Sequence, residues 1–157
     1  MRVRAAGNAD SVAVNEILTS VGAGTIVVHG TTYDATTLPA LVAEDDGRFL
    51  GVLTYNLLDD ELEVVSLHAV DRQRGVGSAL LEAAAELARE AGARRLWLIT
   101  TNDNLDALRF YQRRGMRLVA VAPNAVDAAR QIKPSIPRTG DYGIPLHDEL
   151  ELELRIG

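Results

Sequence analysis

Hydrophobic and polar positions along the chain follow two periods, and the period changes in blocks. Three runs at 41–45, 49–57 and 61–70 are rich in β-forming residues and are separated by "DDGR" and "LDD", which are typical of hairpin turns. This pattern predicts a meander of antiparallel strands. A short strand at 2–6 and a helix at 9–21 are predicted before it, with Val12, Ile17 and Leu18 among the buried positions of the helix.

Helical spacing returns after the meander, in a segment that begins near Gly75. Its apolar residues recur at i, i+1, i+4, i+7, i+8 and i+11, which predicts a helix with one buried stripe. The stripe consists of Leu80, Leu81, Ala84, Leu87, Ala88 and Ala91. Gly92 and Gly115 each stand just after a predicted helix, where a left-handed C-cap favours glycine.

The remainder of the chain alternates strands with helices. Strands are predicted at 93–101, 116–122 and 147–156, and helices at 104–115 and 123–132. In the last strand Glu149, Glu151 and Glu153 alternate with leucines, as in a half-exposed antiparallel strand, so the glutamates are expected on the solvent face. Segment 22–39 gives a mixed signal and is expected to be a loop with a short helix or strand. The order of elements predicts a single α/β (α+β) domain over residues 1–157.

Composition narrows the function classes. The chain has no apolar run of about 18 residues and no apolar core of a signal peptide, so we expect a soluble, cytoplasmic protein with no membrane partner. It has no cysteine, which excludes disulfides, thiolate metal sites and a cysteine nucleophile. The three histidines, His29, His68 and His147, share no metal-ligand spacing, so no metal is expected. A formal charge of −6 argues against a nucleic-acid partner and favours cationic small molecules as ligands.

The start of the helix after residue 75 is a candidate anion site. The first turn of a helix leaves about four backbone N–H groups without intrahelical acceptors, and they carry a partial positive charge. Gly75 and Gly77 let an anion approach these amides, Ser78 adds a hydroxyl, and Arg72 and Arg74 add charge. The P-loop and dinucleotide patterns both fail here, because Gly-Lys-Ser/Thr is absent and a leucine replaces the small third residue. A tight turn with no ligand remains the alternative.

Two motifs give the resemblance to a known family. Arg72-x-x-Gly75-x-Gly77 resembles the pyrophosphate loop, Q/R-x-x-G-x-G/A, of the GNAT superfamily of acyl-CoA-dependent N-acyltransferases. Residues 104–116, "NLDALRFYQRRGM", resemble its second signature, N-x-x-A-x-x-F-Y-x-x-x-G-F, with Met116 in place of the usual aromatic residue. The resemblance covers about 61–122. It implies a GNAT-type mixed, mainly antiparallel central sheet flanked by helices.

The resemblance also implies a use for each matching residue. The co-substrate would be acetyl-CoA, with no metal. Asn104 would hydrogen-bond the pantetheine arm, and Tyr111 would lie beside the thioester sulfur. The backbone groups expected to bind the pantetheine arm are those of Leu67, His68, Ala69 and Val70. The backbone amides expected to bind the pyrophosphate are those of Arg74, Gly75, Val76, Gly77 and Ser78, with Arg72 ahead of them.

The implied reaction is transfer of an acetyl group from acetyl-CoA to a primary amine of a small molecule or protein, by direct attack in a ternary complex. Tyr111 is the candidate acid, with simple packing as its alternative. Glu63 is the candidate base, directly or through a water, and its alternative is a solvated strand residue like Glu61; His68 is a second candidate base. Other readings are a non-catalytic CoA-binding or regulatory module and a structural homodimer.

Two segments are candidate walls of the acceptor site. Residues 133–149 contain too many prolines and glycines for a regular element, and loops of this length are often functional. The family resemblance implies that segment 27–34 is a second candidate loop beside the acceptor. A surface loop that only packs down is the alternative for 133–149. The candidate contacts in that loop are Arg138, Asp141, Tyr142, His147 and Asp148.

Overall fold

The computed structural model describes residues 1–70 and 75–157 and contains the predicted mixture of strands and helices. Its helices are α1 (Ser11–Ser20), α2 (Val76–Glu90), α3 (Leu105–Arg113) and α4 (Ala125–Ile132). Its strands are β1 (Arg2–Ala5), β2 (Thr25–Val28), β3 (Thr31–Asp34), β4 (Ala40–Asp45), β5 (Arg48–Leu58), β6 (Glu61–Ala69), β7 (Arg95–Thr101), β8 (Arg117–Ala122) and β9 (Glu149–Arg155).

Within the described residues, β1 and β4–β9 belong to a seven-stranded, mainly antiparallel sheet, so the predicted fold class is confirmed. The chain divides into two compact units. The first comprises Met1–Ile26, Tyr33–Leu96 and Arg155–Gly157. The second comprises Val27–Thr32 and Trp97–Leu154.

The first unit contains the predicted meander. Its strands lie in the order β1-β4-β5-β6, and the three neighbouring pairs are all antiparallel. Asp46 and Gly47 have φ values of 49° and 78°, so "DDGR" forms the tight turn that its sequence predicts. A core cluster of α1, β4, β5 and the turn after β3 includes Val14, Leu18, Ala35, Ala40, Val42 and Val52.

The second unit is built around β7, β9 and β8, in that order. The antiparallel pair of β8 and β9 places Ala122 opposite Glu149 and Leu118 opposite Leu152. Leu152 is fully buried, whereas every residue of β8 is exposed. The left-handed glycines expected after α2 and α3 are confirmed, with φ of 72° at Gly92 and 92° at Gly115.

Segment 22–39 is more regular than its sequence indicated. It forms β2 and β3, which pair with each other in a separate two-stranded sheet. The two residues between the strands, His29 and Gly30, have φ of 41° and 76°, as a type I′ hairpin requires. Histidine is among the residues that tolerate positive φ, but His-Gly is a weaker sequence signal than Asn-Gly, and the hairpin was therefore missed.

Three predictions of burial are wrong. Val12 is 71% exposed because it lies about 200° around α1 from Val14, which points into the core. Ala91 is exposed because α2 ends at Glu90 and the chain turns away at Gly92. Glu149 is only 4% exposed, although the alternation of β9 placed it on a solvent face. That face of β9 is therefore covered at its first residue.

Candidate active site

The start of α2 has the geometry of an anion cradle. Gly75 is exposed and adopts a left-handed φ of 72°, and no side chain among the described residues caps the helix. A Cβ atom on Gly75 would meet nothing within 4 Å in the part of the chain that the structure describes. The Ala79 N–H donates to the Gly75 carbonyl at 3.1 Å, which places Gly75 at the helix N-terminus. Backbone amides in the first turn of a helix point towards its N-terminal end and carry a partial positive charge, which suits a phosphate.

Arg72 and Arg74, which the sequence analysis assigned to the same cradle, lie outside the described residues. Gly77 and Ser78 lie half-buried in the first turn of α2, and Val76 is fully buried.

Gly51 on β5 allows the first turn of α2 to pack closely on the strands. A Cβ atom on Gly51 of β5 would lie 2.7 Å from Val76 Cγ1, 2.8 Å from the His68 carbonyl oxygen and 3.0 Å from Leu80 Cδ1. Such distances are shorter than van der Waals contact, so the first turn of α2 packs on the strands only because residue 51 has no side chain. The sequence offered no pattern that singles out this glycine.

The end of β6 carries the backbone groups expected to bind pantetheine. Leu67, His68 and Ala69 are half-buried and stand opposite Leu53, Val52 and Gly51 of β5. The N–H of Val70 donates to the carbonyl of Leu50 at 2.7 Å. The Val70 N–H is therefore engaged within the sheet and is not available to a ligand.

Glu63 lies in the middle of β6 with its side chain buried at 3% exposure. The hydroxyl of Tyr33 on β3 donates to Glu63 Oε1 at 2.6 Å. Burial, together with the hydrogen bond to Glu63, raises the pKa of the Tyr33 hydroxyl to about 12, so this hydroxyl keeps its proton. Glu61 is different, because its carboxylate forms ion pairs with Arg94 and Arg95. Glu63 is therefore not a solvated strand residue like Glu61.

Tyr33 contacts the candidate base Glu63, and the sequence analysis did not assign it a role, although segment 27–34 was named as a candidate acceptor wall. It also hydrogen-bonds to the side chain of Asn56, which stands opposite Glu63 on β5. The contact joins residues 30 positions apart and depends on the hairpin, which was itself missed. The only sequence signal for Tyr33 was its position in the second strand of a Thr-rich hairpin.

Tyr111 lies on α3, and Asn104 directly precedes this helix. The Tyr111 ring is partly buried and packs edge-on against Phe110, with ring centroids 5.2 Å apart. Burial raises the pKa of the Tyr111 hydroxyl to about 12. Asn104 is the N-cap of α3, and its Oδ1 accepts from the N–H of Ala107 at 3.2 Å. This capping role was not anticipated from the sequence and uses only the carbonyl end of the amide.

The predicted loop at 133–149 (the tail), whose last residue begins β9, is held in place through its backbone groups. Arg130 of α4 donates to the carbonyls of Ile136, Pro137 and Leu146 at 2.8–3.1 Å. Asn102, after β7, donates to the Pro145 carbonyl. Its Oδ1 also accepts from the N–H groups of His147 and Asp148. The buried carboxylate of Asp103 accepts from the Asp141 N–H at 2.9 Å.

Several side chains named as acceptor contacts are engaged within the second unit. The Tyr142 hydroxyl donates to Asp106 at 2.6 Å. The His147 ring lies 3.0 Å from Asp127, and that contact holds the pKa of the Asp127 carboxyl below its usual range. An Asp148 oxygen accepts from the Asn124 N–H at 2.9 Å. These contacts show the tail packed against its own unit, and they leave its role towards an acceptor a prediction.

Two further observations concern ions and membranes. Among residues 1–70 and 75–157, no group of three or more histidine, aspartate or glutamate side chains is arranged to hold a metal ion. Over the same described residues, no helix is both long and apolar enough to cross a membrane.

Comparison with known proteins identifies similar sequences. Residues 22–116 match the model of the family described as acetyltransferase (GNAT) family. The uncharacterised protein YxbD of Bacillus subtilis (strain 168) is 48% identical over 108 residues, covering 69% of this chain and 68% of that protein. Streptothricin acetyltransferase of Streptomyces lavendulae is 33% identical over 89 residues, which are 55% of this chain and 47% of that enzyme.

Solved structures show the same fold. A Bacillus subtilis acetyltransferase in complex with CoA aligns with a TM-score of 0.70 over 99% of this chain and 99% of that chain. The two sequences are 17% identical, so this likeness concerns the fold alone. The GNAT-type sheet expected from the two motifs is thereby confirmed.

Proposed function

This chain belongs to the acetyltransferase (GNAT) family, and on that premise we propose that it transfers the acetyl group of acetyl-CoA to a primary amine by direct attack in a ternary complex. The observation that carries the proposal is the buried Glu63 carboxylate held by the Tyr33 hydroxyl at 2.6 Å. A module that only bound CoA would have no need of a buried, oriented carboxylate. The cradle at the start of α2 would supply the complementary half of the site.

The cradle fits the pyrophosphate of acetyl-CoA. Backbone amides of Gly75, Val76, Gly77 and Ser78 would hold it, together with the side chains of Arg72 and Arg74. The backbone of Leu67 to Val70 and the amide of Asn104 would hold the pantetheine arm. When bound, acetyl-CoA supplies a thioester carbonyl that an amine can attack. The complex of the similar Bacillus subtilis protein with CoA supports this assignment.

Glu63 would act as the general base. An alkylammonium has a pKa near ~10.4, so removing its proton at pH 7 costs about 4–5 kcal/mol at ~1.36 kcal/mol per unit. A carboxylate fixed in a buried position can accept that proton directly or through a water. Tyr33 keeps its own proton, because the pKa of its hydroxyl is about 12, and therefore orients the Glu63 carboxylate as a hydrogen-bond donor throughout.

Tyr111 would act as the general acid. Its hydroxyl has a pKa of about 12 and therefore carries a proton at neutral pH. It would give that proton to the thiolate as the C–S bond breaks and the C–N bond forms. The chain has no cysteine, and direct attack needs no covalent enzyme intermediate. The products are the N-acetyl amine and the free thiol.

The acceptor is a small-molecule or protein amine. The similarity to streptothricin acetyltransferase makes streptothricin one compound to include in a substrate panel. The test is to incubate the protein with acetyl-CoA and a panel of amines and to measure free thiol release. We expect turnover with at least one amine and a large loss of kcat in Glu63→Gln and Tyr111→Phe.

Calorimetry with CoA separates the alternatives. Binding of CoA without turnover on any amine would favour a non-catalytic module, and absence of binding would contradict the family-based assignment of the cradle. If Glu63→Gln and Tyr111→Phe both kept full turnover with the same pH dependence, the acid and base roles would be wrong even in an active enzyme. Glu61→Gln, which alters a half-buried, ion-paired carboxylate on the same strand, is the matched control.

A further inference from the structure

Asn56 is a polar residue of β5 to which the proposed mechanism gives no role. It stands directly opposite Glu63 in the antiparallel pair of β5 and β6, and both residues belong to the first unit. Side chains of directly opposed residues lie on the same face of a sheet, with Cβ atoms about 4.5–5.5 Å apart. Asn56 is half-buried and Glu63 is buried, so the amide shares the surroundings of the candidate base.

Tyr33, also of the first unit, joins these two side chains. Its hydroxyl donates to Glu63 Oε1 at 2.6 Å and also hydrogen-bonds to the side chain of Asn56. A phenol has one proton, and because Tyr33 gives it to Glu63, its oxygen must accept from the amide nitrogen of Asn56. The bond with Asn56 lowers the pKa of the Tyr33 hydroxyl, as an accepted hydrogen bond does. The chain of hydrogen bonds therefore runs in one direction, from Asn56 to Tyr33 to Glu63.

The direction of this chain decides where the Tyr33 proton lies. An asparagine side chain presents either an NH₂ group or a carbonyl oxygen, and the oxygen would compete with Glu63 for the single phenol proton. With the NH₂ group towards Tyr33, that proton stays on the side of the carboxylate. An N–H donated to the phenol oxygen also polarises the O–H bond and strengthens its hydrogen bond to the carboxylate. Asn56 thus acts on Glu63 through Tyr33.

We propose that Asn56 is a positioning residue of the acetyltransferase reaction: by donating to Tyr33 it keeps the Tyr33 proton on Glu63 and so holds that carboxylate in one orientation towards the amine. This role rests on the proposed function, in which Glu63 is the base. In this role Asn56 exchanges no proton with the substrate. Its effect on turnover must therefore depend on the presence of the Tyr33 hydroxyl.

A double-mutant cycle with Tyr33→Phe tests this dependence. Asn56→Leu removes the amide and keeps the branching of the side chain, and kcat for thiol release should fall about 3- to 10-fold, as for the loss of one neutral hydrogen bond. Adding Asn56→Leu to Tyr33→Phe should change kcat by less than about twofold, because the hydroxyl that transmits the effect is already absent. Losses that multiply in the double variant, or wild-type kcat in Asn56→Leu, would overturn the proposal.

Asn56→Asp keeps the shape of the side chain but replaces the donor with an acceptor. The new carboxylate would compete for the Tyr33 proton and place a second negative charge opposite Glu63, which raises the pKa of one carboxyl of the pair. Because a base must be ionised to act, the loss of kcat on acidification should occur about one pH unit or more above its position in the wild type. A pH profile of Asn56→Asp that coincides with that of the wild type would overturn the proposal.

The other charges around the base do not change in this variant. Glu61, two residues from Glu63 on the same strand, keeps its ion pairs with Arg94 and Arg95. Asn8 is an exposed residue ahead of α1, and Asn8→Asp adds the same charge there. This control should keep the kcat and the pH profile of the wild type.

The Tyr33 hydroxyl proton provides a measurement that needs no turnover. A proton in a short hydrogen bond to a carboxylate resonates at low field in an NMR spectrum, and Tyr33→Phe identifies the signal by removing it. We expect the signal to move to higher field in Asn56→Leu, because loss of the N–H donor weakens the bond from the phenol to Glu63. An unchanged signal in Asn56→Leu would overturn the proposal.

These measurements separate the positioning role from the reaction itself. If the wild type released no thiol with any amine, the proposed function would be refuted, and the role of Asn56 in it with it. If the wild type turned over and the losses of Asn56→Leu and Tyr33→Phe multiplied, the positioning role alone would be refuted and the acetyltransferase function would stand.

Discussion

A single methyl group at residue 51 should disturb the cradle at the start of α2. In Gly51→Ala the new Cβ would stand 2.7 Å from Val76 Cγ1 and 2.8 Å from the His68 carbonyl oxygen. The Val76 side chain would have to move away from the new methyl group. Val76 is fully buried, so its side chain has no open space to enter. The His68 carbonyl belongs to a paired position of β6, so it cannot move without disturbing the strand.

The cost follows from these distances. Inserting a methyl group into a well-packed region destabilises a protein by about 1–3 kcal/mol, and the backbone contact places this variant in the upper half of that range. For a chain of this size, each kcal/mol lowers Tm by about 2–4 °C, so the melting temperature should fall by about 4–12 °C. The least costly relief is a displacement of the first turn of α2, which would also raise KM for acetyl-CoA.

Thermal melting and the KM for acetyl-CoA measure the two effects. Gly7→Ala is the matched control, because Gly7 is exposed, has a φ of −106°, and its added Cβ would meet Asp10 only at 3.8 Å. The control should melt close to the wild type and keep its KM. A Gly51→Ala variant that melts within about 1 °C of the wild type would refute the packing argument. Lower Tm with an unchanged KM would instead refute the link between this packing and the cradle.

Three other perturbations address the site and the fold. Tyr33→Phe removes the hydrogen bond to Glu63, so kcat should fall about 10-fold while the melting temperature changes little, as paired turnover and melting measurements would show. The pKa of the Tyr111 hydroxyl is about 12, so kcat should not fall through loss of this proton up to about pH 10. A fall of kcat near pH 8 that disappears in Tyr111→Phe would contradict the protonated state of Tyr111. Arg4 hydrogen-bonds to Asp10 and lowers the pKa of that carboxyl to about 2, so the stabilising effect is fully present above about pH 4 and is lost as the pH falls through 2. Arg4→Gln should therefore unfold at a higher pH than the wild type in an acid titration, and coincident acid transitions would count against the ion pair.

The sequence predicts those parts of the fold that depend on local periodicity and turn chemistry. The meander, α2 and the capping glycines are of this kind, because the pattern within each segment determines its conformation. Contacts between distant segments were not accessible in this way. The Tyr33–Glu63 hydrogen bond joins β3 to β6, and the burial of Glu149 depends on the His29 turn.

The same distinction holds for the candidate site. Its motifs indicated Gly75, Asn104 and Tyr111 directly, since each stands at a fixed position within a local pattern. Gly51 has no such pattern, and its significance comes from the approach of Val76 and Leu80 across the fold. Asn104 was indicated by its motif, but its second role was not predicted. The residue expected to face a ligand also caps α3.

The way the tail is fastened has a consequence for protein engineering. Arg130, Asn102 and Asp103 hold the tail by its carbonyl and amide groups, and these groups are the same whatever side chains the tail carries. Residues between these anchor points, apart from Gly140 and Gly143, can therefore be randomised in a library while the three anchors are kept. A Cβ atom on Gly140 would collide with the Asp103 carboxylate, and Gly143 has a left-handed φ of 71°. Such a library would present varied side chains on a constant backbone path, much as an antibody framework presents its loops.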